Sequence, residues 1–157
     1  METIVLYLLW TITAALLRGR PRRYLARVTA LLGFLLILLY TVIGRGASGI
    51  HILESVPWIT FEKAKTEPEY YRTMYMNMLL FLPLGLSLPF ALPKRWKNKA
   101  LIAAAGGCLL SAIVEVVQYY FGVGNCETDD VLMNTLGMLI GVSSFGIVCL
   151  IQRIRKR

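Results

Sequence analysis

The chain reads as an all-α polytopic membrane protein of about five transmembrane helices, with its N-terminus outside and its C-terminus inside. Three observations predict this. Hydrophobic residues fill 57% of the 157 positions, too many for a soluble domain of this length. They gather into runs that approach or exceed the roughly 18–20 residues needed to span a bilayer. The cations, finally, are sorted by loop, and short basic loops stay on the cytoplasmic side.

The first span covers about 3–17 and is the weakest, since 15 residues at about 1.5 Å each reach only about 22 Å. Arg18 extends it by snorkelling. Met1-Glu2 offers no positive leader and RGRPRR follows the apolar run, so the segment reads as a retained helix and not a cleaved signal. The second span is 25–43, the third 73–92, the fourth 100–122 and the fifth 130–151. A single integral-membrane domain of residues 1–157 follows.

The net charge of +8 does not point to nucleic acid, because of where it lies. Arg18, Arg20, Arg22, Arg23 and Arg27 separate spans one and two; Lys94, Arg95, Lys97 and Lys99 separate three and four; Arg153, Arg155, Lys156 and Arg157 end the chain. All three groups fall on one side of a five-span arrangement, and no acidic residue joins them. Arg45, Lys63, Lys65 and Arg72 lie in the loop of residues 44–72 beside Glu54, Glu62, Glu67 and Glu69. This loop is opened by Gly44, Gly46 and Gly49, and it either lies on the membrane surface or folds back over the bundle. Trp58, Tyr70, Tyr71, Tyr75, Tyr119 and Tyr120 mark the outer interface; Tyr24 and Trp96 mark the inner one.

Within the third span, Pro83 and Pro89 each remove a backbone donor, which a helix bundle tolerates where neighbours satisfy the freed carbonyls. Gly85 lets another helix approach. Glu115 is the unusual residue of the fourth span. A charge at the centre of a spanning helix costs about 2.5–3.5 kcal/mol on insertion scales, so an intramembrane carboxyl marks a functional site by default. Burial raises its expected pKa and suits it to proton transfer.

Helical spacing then collects its partners. Gly107, Ser111, Glu115, Gln118 and Gly122 share one face of span four; Asp130, Asn134, Gly137, Gly141 and Ser144 share one face of span five. Such small-and-polar stripes pack against other helices, either within the chain or, through Gly137 and Gly141, against a second copy. Glu115 lies about 10 Å below its helix's outer end, Asn134 about 6–7 Å deep and Asn77 about 5–6 Å deep. Asn77, Glu115, Gln118, Asp130 and Asn134 therefore fall in the outer half of the membrane, with Glu127 and Asp129 joining Asp130 in an acidic rim. The expectation is a polar pocket open to the outside. The carboxylates with the amide oxygens of Asn77, Gln118 and Asn134 offer ligands for a hard ion such as magnesium or calcium, but their spacing is not diagnostic and names no metal site. The one histidine is His51, and Cys108, Cys126 and Cys149 lack ligand spacing. No cofactor is expected either.

The run Asn77-Met-Leu-Leu-Phe81-Leu-Pro83-Leu-Gly85, then Glu115-Val-Val-Gln118, then Thr128-Asp129-Asp130-Val-Leu-Met-Asn134-Thr135-Leu-Gly137 resembles the VanZ-like family of bacterial membrane proteins. Val56-Pro57-Trp58 resembles the Pro-aromatic element that the family carries ahead of its Asn helix. The resemblance covers roughly residues 55–145. It implies a multi-pass protein of the bacterial cell membrane and a link to low-level resistance to teicoplanin, a glycopeptide. It also implies that Asn77, Pro83, Gly85, Glu115, Gln118, Asp130, Asn134 and Gly137 are the family-motif positions. Two departures stand out. Many relatives carry an Arg in the outer turn where this chain has Gly-Val-Gly-Asn-Cys-Glu, and an Asp where Glu127 stands.

Four function classes remain open at this point. The first is an envelope protein whose pocket engages a membrane lipid or lipid-linked envelope precursor. The others are an intramembrane lipid-modifying enzyme, a small proton-coupled lipid transporter, and a structural partner subunit. Against the enzyme, no nucleophile stands beside a base.

Overall fold

A computed structural model describes residues 2–43 and 52–155. Gly44, Arg45, Gly46, Gly49 and His51 of the long loop, and Lys156 and Arg157, lie outside the described residues. Helix α1 (Glu2–Leu16) is followed by α2 (Arg20–Leu38), which continues as a π-helical turn, Leu39–Ile43. The long loop contributes β1 (Leu53–Glu54) and α3 (Ile59–Ala64); then come α4 (Glu69–Ala91), α5 (Lys99–Phe121), β2 (Cys126–Glu127) and α6 (Thr128–Ile154). Four helices are long and apolar enough to cross a membrane: Arg20–Thr41, Glu69–Ala91, Lys99–Phe121 and Thr128–Ile154. The fifth, Ile4–Leu16, is the shorter apolar helix foreseen as the weakest span. Outward-facing side chains such as Leu16, Leu101 and Leu150 are exposed apolar groups that suit lipid contact.

Helices α4 and α6 form the centre and run in the same direction. Their backbones nearly touch, because Gly137 sits against the Met78 carbonyl and Gly141 against Leu82 and Leu86. A Cβ at Gly141 would lie 2.6 Å from both the Leu82 oxygen and the Leu86 nitrogen, closer than real Cβ atoms come. Close approach of this kind maximises dispersion contact, which drives helix association where lipid removes the hydrophobic incentive. The glycine stripe is thus used up inside the chain. Both glycines are buried within the chain.

On the flanks, α5 runs antiparallel to α6, with Gly107 against Met138 and Ser111 against Asn134. Helix α2 leans on α4 through Gly33, whose position meets the Leu84 nitrogen and the Pro83 ring. Pro83 and Pro89 leave α4 unbroken, and the Ser87 hydroxyl donates back to the Pro83 carbonyl at 2.7 Å. A core of Ile37, Phe81, Leu84, Ala103, Val114, Met138 and Val142 joins α2, α4, α5 and α6. The short α1 is tied to α6 by the Thr11 hydroxyl, which donates to Ser144 Oγ at 2.9 Å, and by a 2.7 Å bond between Tyr7 and Ser143.

The charge sorting survives folding. Arg22 and Arg23 at the start of α2 meet Lys94 and Lys99 between α4 and α5, around one small cavity. We refer to this as the basic end. The opposite, acidic end carries β1, β2 and α3.

Candidate functional site

The acidic end is built by one long-range fold-back. Strand β1 pairs in parallel with β2, Leu53 opposite Cys126 and Glu54 opposite Glu127, so residues 52–64 form a cap at this end. Trp58 adopts a left-handed conformation (φ 67°), which costs a non-glycine residue about 1–2 kcal/mol. The Asp129 carboxylate offsets that cost: it accepts the Trp58 N–H at 2.6 Å and the Thr60 N–H at 2.8 Å. Asp129 is only 2% exposed and acts as a clamp holding α3 in place. Sequence spacing had put it on an acidic rim, but the structure turns it toward the loop.

Glu127 and Glu115 belong to the same network. Glu127 accepts from the Thr60 hydroxyl at 3.3 Å and from Asn125 Nδ2 at 3.2 Å. Its backbone N–H donates to Glu115 Oε2 at 3.1 Å, at the N-terminal end of α6. An intramembrane carboxylate is well placed there, since the helix N-terminus presents partial positive charge. Glu115 is 3% exposed and Asp130 2%. Together with Glu127, both act electrostatically on Cys126. Burial pushes the Cys126 thiol above its ordinary value, and the three carboxylates push it the same way. At the outer margin Lys63 bonds both oxygens of Glu54, at 2.7 and 2.8 Å, and that hydrogen-bonded carboxylate holds its ammonium above the usual lysine value.

Beneath this cap lies a seam of buried amides from three helices. Gln118 Nε2 donates to the Thr41 carbonyl at 3.2 Å, linking α5 to the π-helical turn after α2. Asn134 Nδ2 donates to Ser111 Oγ at 2.9 Å, linking α6 to α5. Their other ends, Gln118 Oε1 and Asn134 Oδ1, have no hydrogen-bond partner among the described residues, and neither has Asn77 Nδ2. All three side chains are at most 2% exposed. A buried polar group left unsatisfied costs about 1–3 kcal/mol, so three such atoms are an expensive arrangement for a purely structural seam.

The structure therefore divides the seven polar residues singled out by sequence. Asn77, Gln118 and Asn134 carry open hydrogen-bonding capacity inside the bundle; Glu115 and Asp130 are buried beside them; Asp129 and Glu127 are engaged with the loop. Residues 53–60 are tied to Cys126, Glu127, Thr128 and Asp129 around the start of α6, beside the mouth expected from sequence. Sequence reasoning missed Thr60 and the Thr41 carbonyl, both buried partners, because nothing local marks them. No group of three or more His, Cys, Asp or Glu among the described residues is arranged to hold a metal ion.

Comparison with known proteins adds a family. The family described as VanZ/LLP1 matches residues 4–151, beyond the 55–145 region that carries the quoted motifs. Protein VanZ of Enterococcus faecium is 30% identical over 78 residues, 49% of this chain and 46% of that protein. The match thus spans about half the length of that curated relative. No solved structure matches.

Proposed function

The chain belongs to the VanZ/LLP1 family, and on that premise we propose that it works in the bacterial cell membrane by engaging the headgroup of a lipid or lipid-linked envelope precursor. The site is the amide seam under the acidic cap. By positive-inside sorting that end faces outward, toward the leaflet where glycopeptides act. Binding there lowers susceptibility to teicoplanin, either by shielding its target or by altering the membrane that its acyl tail enters.

The observation that carries this reading is the set of three buried amide atoms that have no hydrogen-bond partner among the described residues. Two are acceptors, Gln118 Oε1 and Asn134 Oδ1, and one is a donor, Asn77 Nδ2. A headgroup with hydroxyl or ammonium hydrogens and at least one acceptor satisfies all three. The neighbouring carboxylates Glu115 and Asp130 favour such a group over a bare phosphate. An apolar groove of about 640 Å³ lies beside α4, the helix that carries Asn77, and is lined by Tyr75, Met78 and Leu82 with Tyr7, Leu139 and Ile140. It suits an acyl chain attached to that headgroup. Entry requires the cap of residues 52–64 to lift, which makes the Asp129 clamp part of the gate.

The test is teicoplanin susceptibility in a sensitive Gram-positive host expressing wild type or Glu115→Gln, with membrane abundance measured for both. Protection by wild type and not by the variant, at equal abundance, supports the reading. Equal protection removes the Glu115 carboxylate from it, and no protection by wild type removes the resistance role.

A further inference from the structure

The basic end holds a second feature that the amide seam does not use. Arg22, Arg23, Lys94 and Lys99 border a cavity of about 130 Å³, floored by Phe90 and Phe145. That is the space of roughly four water molecules. The positive charges of Arg23, Arg22 and Lys94 all act on Lys99, and no carboxylate acts on it. Four cations thus converge without a carboxylate acting on Lys99; the one titratable group of opposite sign that acts on Arg22 and Lys99 is the Cys149 thiol.

Two helix starts compound the effect. Gly19, the residue preceding α2, lines the cavity, and Lys99 opens α5 at the same place. Neither helix has a side-chain cap or an acidic residue in its first turn. The positive dipole ends of both helices thus begin beside a cluster of cations, an unfavourable arrangement until an anion joins it. Individual donors are also open. Arg22 Nε is withdrawn from the surface and has no hydrogen-bond partner among the described residues. Lys99 spends one of its three hydrogens on the Leu92 carbonyl at 3.1 Å, which fixes the ammonium at the rim. Arg22 Cζ also lies over the Phe90 ring, 5.3 Å from its centre, a cation–π contact that keeps the guanidinium at the cavity.

We propose that this cavity is a binding site for one phosphate group, supplied by an anionic phospholipid headgroup in the leaflet on the basic side. The size suits a single tetrahedral oxyanion. The position, where α1 and α4 end and α2 and α5 begin, is near the headgroup level of a bilayer crossed by these helices, with α6 continuing past it from Phe145 to Ile154. Its chemistry is opposite to that of the acidic-end seam, so this site stands or falls independently of the function proposed above.

The full chain, purified in neutral detergent, is titrated with phosphatidylglycerol, phosphatidylcholine or inorganic phosphate while its thermal unfolding midpoint is read. Phosphatidylglycerol is expected to raise the midpoint and phosphatidylcholine to leave it nearly unchanged. Arg22→Gln and Lys94→Gln are each expected to weaken the lipid's effect about tenfold, the worth of one charge-assisted hydrogen bond. Lys94 is exposed, so its variant folds even if Arg22→Gln does not. The pair Arg153→Gln with Arg155→Gln removes charge from the same end without touching the cavity and is expected to bind as wild type. Equal weakening by that pair would reduce the effect to diffuse surface charge and overturn the site. Inorganic phosphate matching the lipid would overturn the lipid source, and no response to any anion would overturn both.

Discussion

Replacing Asp129 by asparagine should loosen the cap and leave the helices intact. The carboxylate accepts two backbone N–H groups, from Trp58 at 2.6 Å and Thr60 at 2.8 Å. Bonds of this charge-assisted kind are worth about 1.5–3 kcal/mol each. Asparagine keeps one acceptor and turns an NH₂ group toward the other N–H, so about one bond is lost and the survivor is weakened. The net cost is about 2–4 kcal/mol, or roughly 30- to 1000-fold in the opening equilibrium. The left-handed strain at Trp58 adds to the tendency to open. Hydrogen–deuterium exchange of the membrane-embedded protein reads this directly. Peptides within residues 53–64 should exchange faster by that factor, while those of α4 and α6 keep wild-type protection. Glu62→Gln, at an exposed Lys65 pair in the same helix, should change little. Unchanged exchange of residues 53–64 in Asp129→Asn would refute the clamp, and with it the gate.

Further outcomes follow from the packing and from the acidic end. Gly137→Ala and Gly141→Ala drive a methyl group into the α4 backbone and should each destabilise the protein by at least about 1–3 kcal/mol in denaturant unfolding, whereas Gly146→Ala, with nothing within 4 Å, should stay within about 0.5 kcal/mol of wild type. Equal effects at all three positions would contradict the α4–α6 seam. Cys126, in a Cys108→Ser and Cys149→Ser background, should react with a membrane-impermeant maleimide from outside intact cells. Because its pKa is raised, that reaction should be slow near neutral pH and still accelerating above the ordinary thiol range, and Glu127→Gln should speed it. Labelling only after permeabilisation would reverse the orientation.

The helices and their inward faces were legible because a membrane leaves few alternatives. A small-and-polar residue recurring every three or four positions in an apolar helix has to face protein, and Ser111, Glu115, Gln118, Asn134 and Ser144 all do. The cap was illegible for the opposite reason. It rests on contacts between Trp58 or Thr60 and Asp129, across 71 and 69 positions, and on a two-residue strand pair with no local pattern of its own. Asp129 and Asp130 show how little adjacency means on a helix. A step of one residue turns the side chain by about 100°, which sends Asp130 along the Asn134 stripe and Asp129 toward the loop. The glycine pair was ambiguous from sequence alone, since in-chain packing and dimerisation ask for the same residues. The register of Met78 and Leu82 on α4 shows the in-chain packing of both glycines.

The central claim is that the buried amides are kept for a ligand, and Asn77→Leu tests it most directly. Leucine removes a buried donor that has no partner among the described residues and leaves no hole, so it should leave thermal stability equal to wild type or higher. The account predicts that this stable variant, at wild-type abundance in the membrane, loses protection against teicoplanin. A variant that is as stable and still protects fully would contradict it and leave Asn77 no part in a ligand site.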